Sequence, residues 1–216
     1  MKPRGRFITF EGGEGAGKST QIRRLAIRLR ERGIETIVTR EPGGSAGAEA
    51  LRDLLLAGAA KPFGPFAEAL LFNAARDDHL EVTIRPALEA GHWVLCDRFA
   101  DSTRAYQGAS GSVDDTVLRA MERIVVGRTR PDLTIILDIP PAEGLRRAVG
   151  RGMGSDRFES EALTFHERLR ENFLAIAARE PQRCAVIDGT RDPESVGAEI
   201  WKTVIERLDL AREPTA

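Results

Sequence analysis

The chain has 216 residues, enough for one large domain with a sizeable core or for two small ones. Its 32 basic and 33 acidic residues leave a formal net charge of -1, which gives no support for a nucleic-acid surface, since that would carry a basic excess. No apolar run approaches a membrane span, and the basic start Met1-Lys2-Pro3-Arg4-Gly5-Arg6 is followed by no apolar signal region, so a soluble, cytoplasmic protein without a membrane partner is expected.

Residues 7–10, Phe-Ile-Thr-Phe, read as a first strand. They run into Glu11, then Gly12, Gly13, Glu14, Gly15, Ala16 and Gly17, then Lys18, Ser19 and Thr20. Gly12 and Gly17 bracket four residues and Lys18-Ser19 follow, which completes the phosphate-binding loop pattern. Such a loop turns backbone N–H groups inward at the positive end of the next helix and so holds a chain of phosphates. Lys18 is expected to reach the β and γ phosphates and the Ser19 hydroxyl to bind Mg²⁺.

A helical period covers 18–32, with Ile22, Leu25, Ala26 and Leu29 on one face and Gly33 as its stop. Residues 35–39 read as a second strand, followed by the turn-rich Arg40-Glu41-Pro42-Gly43-Gly44. Residues 48–56 read as a helix, 58–65 as a break, and 66–90 as a long helical stretch bent near Pro86. The third strand is 93–96, closed by Asp97-Arg98, and a polar loop leads to a helix over 114–126. The fourth strand is 133–137, ending at Asp138; a helix starts near Pro141; 159–179 is helical; 184–187 is the fifth strand; 193–208 is the last helix. Strands alternating with helices imply a parallel sheet covered on both faces. Residues 150–157 hold three glycines and three charged residues, a composition suited to a mobile lid on a single domain.

The two cysteines, Cys96 and Cys184, both lie in apolar runs and are expected to be buried and reduced. His79, His92 and His166 are scattered and form no metal-ligand pair. No guanine-reading Asn-Lys-x-Asp sequence is present, which argues against a GTPase. A small-molecule kinase needs arginines to clamp a second phosphorylated substrate, and Arg40, Arg52, Arg76 and Arg98 follow strands, where ligands gather in open parallel sheets. Asp97 and Asp138 both end apolar runs, and either can hold Mg²⁺ through water.

Phe-Glu-Gly-Gly-Glu-Gly-Ala-Gly-Lys-Ser-Thr at 10–20, Thr-Arg-Glu-Pro-Gly-Gly at 39–44, Leu-Arg-Asp-Leu-Leu-Leu at 51–56, Leu-Phe-Asn-Ala-Ala-Arg at 71–76, Asp-Arg-Phe at 97–99 and Ala-Tyr-Gln-Gly at 105–108 occur in one order. With Arg-Gly…Asp-Arg-Phe-Glu at 151–159, they make nearly the whole chain resemble the thymidylate kinase family of the bacterial type. The resemblance implies a P-loop nucleoside monophosphate kinase-like α/β fold over residues 1–216: a five-stranded parallel sheet flanked by helices, with a short lid at about 148–158. It implies transfer of the γ-phosphoryl group of ATP to dTMP with Mg²⁺, and a homodimer.

For the site, the resemblance implies that Phe72 stacks on the thymine ring and Arg76 bonds a thymine carbonyl. Arg52 and Arg98 hold the thymidylate phosphate, and Thr103 and Gln107, with help from Ser102, meet the base or its surroundings. Tyr106 sits under the sugar and disfavours a 2′-hydroxyl. The Asp-Arg signature favours Asp97 over Asp138 for the metal. Some members carry an arginine at the position of Gly15; this chain has none between Gly12 and Lys18. The lid must then supply the catalytic cation, Arg151 first, with Arg147 and Arg157 behind it, in a lid one residue longer than the usual form. Glu14 either faces the substrate sugar or is a solvated loop carboxylate. The sheet order implied by the family sets the third and fifth strands three positions apart, about 14 Å at ~4.8 Å per step, too far for a Cys96–Cys184 disulfide. The alternatives are a kinase for another pyrimidine nucleoside monophosphate, and a nucleotide-binding regulator without turnover.

Overall fold

The computed structural model describes residues 4–109, 113–149 and 161–210. Five parallel strands form one sheet: β1 (Phe7–Glu11), β2 (Thr36–Arg40), β3 (Trp93–Asp97), β4 (Leu133–Asp138) and β5 (Cys184–Asp188), in the order β2-β3-β1-β4-β5. Helices α1 (Lys18–Arg30), α2 (Ala46–Leu56), α3 (Gly64–His79), α4 (Arg85–Glu89), α5 (Ala100–Ala109), α6 (Asp115–Val126), α7 (Pro141–Val149), α8 (Leu163–Arg179) and α9 (Pro193–Arg207) make the connections. The expected fold is present, and each expected strand extends one residue further at its carboxyl end, to Glu11, Arg40, Asp97, Asp138 and Asp188.

Strand alternation sorts the core into two faces. Ile8, Phe10, Leu95, Ile135 and Leu137 pack with Ile22, Leu25 and Leu29 of α1 and Ile200 and Val204 of α9. Phe7, Val94 and Cys96 meet Leu80, Ile84, Leu88 and Phe99 on the opposite face, where Ile136 meets Leu169 and Phe173 of α8. Cys96 and Cys184 are both buried and free, on strands three positions apart.

Two local expectations need correction. Residues 100–109, read as a polar loop, form α5. Its polar residues Asp101, Ser102, Thr103, Arg104 and Gln107 are buried with the rest of the helix, so no polar stripe alternates with an apolar one and the helical period is hidden. The stretch expected to be one bent helix divides into α3, a π turn over Leu80–Ile84, and α4. The π turn lies immediately before Pro86, which has no N–H for the ladder and whose ring crowds the preceding turn. Residues 57–65 hold a 3₁₀ turn at Lys61–Phe63. The expected lid, with Arg151 and Arg157, lies outside the described residues except for its first two positions, as do residues 159–160 of the helix expected over 159–179; of that stretch, Glu161 and Ala162 precede the helix, which starts at Leu163 after an extended Ala162.

β1 is central, and the loops after β1, β2 and β3 emerge together at its carboxyl end, where an open parallel sheet collects ligands. Among the described residues no single helix is long and apolar enough to cross a membrane; Ala46–Leu56 with Lys61–Glu89 passes only as a pair bent by 79°.

Candidate active site

The chain leaves β1 through a loop in which two glycines are required by space as well as by angle. At Gly12 φ is +127°, and a Cβ would stand 2.4 Å from the Leu137 carbonyl oxygen. At Gly15 φ is +67°, and a Cβ would stand 2.0 Å from the Gly144 carbonyl oxygen of α7. The loop therefore packs main chain on main chain, and Gly15 has no room for an arginine or any other side chain. Gly17, at φ 94°, starts α1, and Thr20 sits in the first turn with its N–H on the Gly17 carbonyl at 3.1 Å.

Lys18 is buried, and its Nζ donates to the carbonyls of Gly12 at 3.1 Å and Gly13 at 2.9 Å. Burial and the nearby Arg98 charge pull its pKa below the ordinary lysine value, against Glu14 and Asp97. The Ser19 hydroxyl donates to Asp97 Oδ2 at 2.7 Å. The other aspartate considered for the metal, Asp138, is bound by Arg170 at 2.6 and 2.8 Å. The Asp97–Ser19 pair, not Asp138, thus lies beside the loop's lysine on the cavity wall.

That cavity is about 550 Å³ and opens where the three loops meet. Glu14, Gly15, Ala16, Gly17, Lys18, Ser19 and Asp97 line one side of it; Arg52, Phe72, Arg76, Arg98, Thr103, Tyr106 and Gln107 line the rest, with Arg40 and Ser102. Every residue expected to touch the second substrate therefore faces the space beside the phosphate loop. Gly12 and Gly13 lie behind it, against a smaller cleft shared with Ile139 and His166, and Thr20 is not on its wall. Lys18, Arg40, Arg52, Arg76 and Arg98 outnumber the lining carboxylates Glu14, Glu41 and Asp97, so the cavity suits an anionic guest.

Arg98 occupies the left-handed backbone region at φ 67°. Its guanidinium donates to Gly12 O at 3.1 Å, to Ser102 Oγ at 3.3 Å and to Glu14 Oε1 at 2.6 Å, and lies 5.0 Å from the centre of the Tyr106 ring. The Tyr106 hydroxyl donates to the same Glu14 oxygen. Burial pushes the Glu14 carboxyl up, but Arg98, Lys18 and the Tyr106 hydroxyl outweigh it and hold it down at about 2. Glu14 is therefore an ordered, ionised group at the centre of the site rather than a solvated loop carboxylate.

Arg76 is fixed by its neighbours: Nε donates to Glu41 Oε2 at 2.8 Å, one terminal nitrogen to Asn73 Oδ1 at 3.1 Å, the other to Thr103 Oγ1 at 2.9 Å. Behind it, Glu41 contacts His79 Nδ1 at 3.1 Å, and His79 Nε2 meets Thr39 Oγ1 at 2.7 Å. Arg52 donates to the Pro42 carbonyl at 2.6 Å, and Arg40 pairs with Glu49. Arg147, a lid candidate, donates to the Gly189 and Thr190 carbonyls at 2.9 and 3.2 Å and pairs with Glu143.

Two buried carboxylates escaped the sequence reading. Glu41 anchors Arg76; its signal was its place between Arg40 and Pro42 in the loop after β2. Glu11 ends β1, accepts from Phe99 N–H at 2.8 Å and Ser102 Oγ at 2.6 Å, and is pushed up to about 8 by burial and by Asp101. Its signal was a carboxylate closing an otherwise apolar strand.

The thymidylate kinase family model matches residues 10–200. A thymidylate kinase of Bradyrhizobium diazoefficiens is 59% identical over 207 residues, covering 95% of this chain and 91% of that protein. One of Rhodopseudomonas palustris is 62% identical over 208 residues, covering 95% and 90%. The crystal structure of thymidylate kinase from Ehrlichia chaffeensis superposes with a TM-score of 0.76 at 34% identity, over 94% of this chain and 100% of that one. With the phosphate loop and the arginine-lined cavity inside the matched span, the chain belongs to the thymidylate kinase family.

Proposed function

We propose that this protein transfers the γ-phosphoryl group of ATP to the phosphate of thymidylate, giving ADP and thymidine diphosphate for dTTP biosynthesis. The observation that carries the reading is a single cavity in which a phosphate loop faces Phe72, Arg76, Arg98 and Tyr106. Arg98 and Arg52 clamp the acceptor phosphate, for which a guanidinium fork is the matching geometry. Phe72 offers a ring face to the base. Arg76, held through one hydrogen on each terminal nitrogen, presents the second hydrogen of each to a base carbonyl beside Thr103 and Gln107. The Tyr106 ring, held by Arg98 and Glu14, is on this reading the group under the sugar that disfavours a 2′-hydroxyl.

Catalysis on this reading is positioning plus charge neutralisation, without a covalent intermediate. Lys18 exchanges its loop carbonyls for phosphate oxygens. The acceptor is already an anionic phosphate, so no strong general base is needed. The Ser19 hydroxyl and Asp97 carboxylate, 2.7 Å apart, are hard oxygen donors that fit Mg²⁺ bound directly and through water. When bound, that ion neutralises charge on the donor phosphates. Among the described residues no group of three or more His, Cys, Asp or Glu could hold a metal, so the remaining ligands would come from phosphate and water.

The transferring group still needs a cation. Gly15 has no space for one, and Arg147 is engaged by Gly189, Thr190 and Glu143, which favours Arg151, then Arg157, in a lid over 148–158 of a single-domain chain. We place the enzyme in the cytoplasm as a homodimer. Phe66 and Leu70 of α3 and Val117 and Ile124 of α6 are exposed on neighbouring helices, a face suited to a second copy.

An assay of purified protein with ATP, Mg²⁺ and a panel of monophosphates tests the activity. Thymidylate is expected as the preferred acceptor; turnover favouring uridylate would overturn the acceptor assignment, and ATP binding without transfer would indicate a regulator. Arg151→Ala is expected to lower kcat by about a hundredfold or more with little change in thymidylate binding, by loss of the cation at the transferring group; an unchanged kcat moves the role to Arg157. Phe72→Ala is expected to raise the thymidylate KM by about tenfold, the size of one lost stacking contact, whereas lower stability at constant KM would make Phe72 a packing residue. Leu70→Asp is expected to halve the mass measured by sedimentation, and a wild-type monomer at all concentrations would remove the dimer.

A further inference from the structure

Arg98 is held in a backbone conformation that a side chain other than glycine rarely adopts, and such strain persists only where the surroundings over-determine it. Three contacts do so. Arg98 N–H donates to the Phe10 carbonyl at 2.9 Å, the next N–H, from Phe99, donates to Glu11 Oε1 at 2.8 Å, and Ser102 Oγ donates to Glu11 Oε2 at 2.6 Å. Both oxygens of Glu11 are thus spent on the start of α5, and Glu11 is wholly buried. The same ten-residue helix carries Ser102, Thr103, Tyr106 and Gln107 to the cavity.

We infer that Glu11 is a positioning residue for the acceptor: it docks α5 on the strand that carries the phosphate loop and locks the Arg98 turn, so that the acceptor-binding groups are set in register with the donor loop. This rests on the acceptor reading above and adds to it a residue that touches neither substrate. Burying a carboxylate is costly, and burial with the like charge of Asp101 pushes Glu11 well above the usual carboxylate range. Thr9, two residues earlier on the same face of β1, solves a simpler problem with a hydroxyl, meeting Thr134 at 2.8 Å. A long, forked side chain is needed at position 11 because Phe99 N–H and the Ser102 hydroxyl, one turn apart, must both be reached by it.

Glu11→Ala and Glu11→Gln test this, read by a crystal structure and by steady-state kinetics. In Glu11→Ala, Arg98 is expected to leave the left-handed region and its guanidinium to leave Gly12 and Glu14, with the thymidylate KM up by about tenfold or more and the ATP KM within about twofold. Glu11→Gln keeps an acceptor for Phe99 N–H and a partner for Ser102, and is expected to restore the Arg98 turn and most of the thymidylate KM. Should Glu11→Ala not fold, Ser102→Ala, which removes one of the two ties, is expected to raise the thymidylate KM but not that of ATP. An unchanged Arg98 turn with an unchanged thymidylate KM in folded Glu11→Ala would overturn the inference, as would equal rises in both KM values. A wild type inactive on thymidylate would overturn the acceptor reading instead, and the Arg98 backbone would still decide the role of Glu11.

Discussion

The site depends on one partly buried guanidinium. Arg98 contacts the phosphate loop at Gly12 and Glu14 and helix α5 at Ser102 and Tyr106, so it touches both halves of the cavity at once. Burial alone would oppose its charge, yet Glu14, Tyr106, Asp97 and Glu11 keep it firmly protonated. A charge this deep is stable only when paired and hydrogen-bonded, and its partners are the groups that the proposed chemistry uses. The cation is therefore part of the architecture before any substrate arrives, which lowers the reorganisation needed to receive a phosphate.

The second constraint is the absence of side chains where the phosphate loop meets α7. The loop and α7 approach so closely at Gly15 and Gly144 that a Cβ on either would overlap facing main chain: one at Gly15 would stand 2.0 Å from the Gly144 oxygen, one at Gly144 2.3 Å from the Glu14 oxygen. This contact brings α7 against the loop. It also leaves no room for a side-chain cation at position 15.

The Arg76 side of the cavity uses a different device. Arg76 is steadied by Glu41, Glu41 by His79 and His79 by Thr39, so three side chains from β2, its following loop and α3 support one donor group. Each member satisfies the next, which is the condition for a buried polar network to be rigid rather than costly. Thr103 joins this network to α5. The two sides of the cavity are thus tied to one helix from two directions, by Arg76 through Thr103 and by Glu11 through Ser102.

The phosphate loop, the strands and most helices were legible in the sequence, because spacing and periodicity are local properties of the chain. So were the residues that line the cavity, through ordered motifs such as Arg-Glu-Pro-Gly-Gly and Phe-Asn-Ala-Ala-Arg. Helix α5 was not, since its polar residues find their partners on distant strands and helices and leave no periodic stripe. Nor were the roles of Glu11 and Glu41, whose partners lie 88 and 35 positions away. Pattern alone left Asp97 and Asp138 open, since both end an apolar run, and only the family resemblance favoured Asp97; Arg170 takes one and Ser19 meets the other only when α8 and α1 have packed on the sheet. The sequence by itself determined which groups the chain carries and the local shapes that present them. The tertiary structure decided which of those groups pair with one another and which are left facing the cavity, because pairing across the sheet is a matter of distance in space, which residue spacing does not encode.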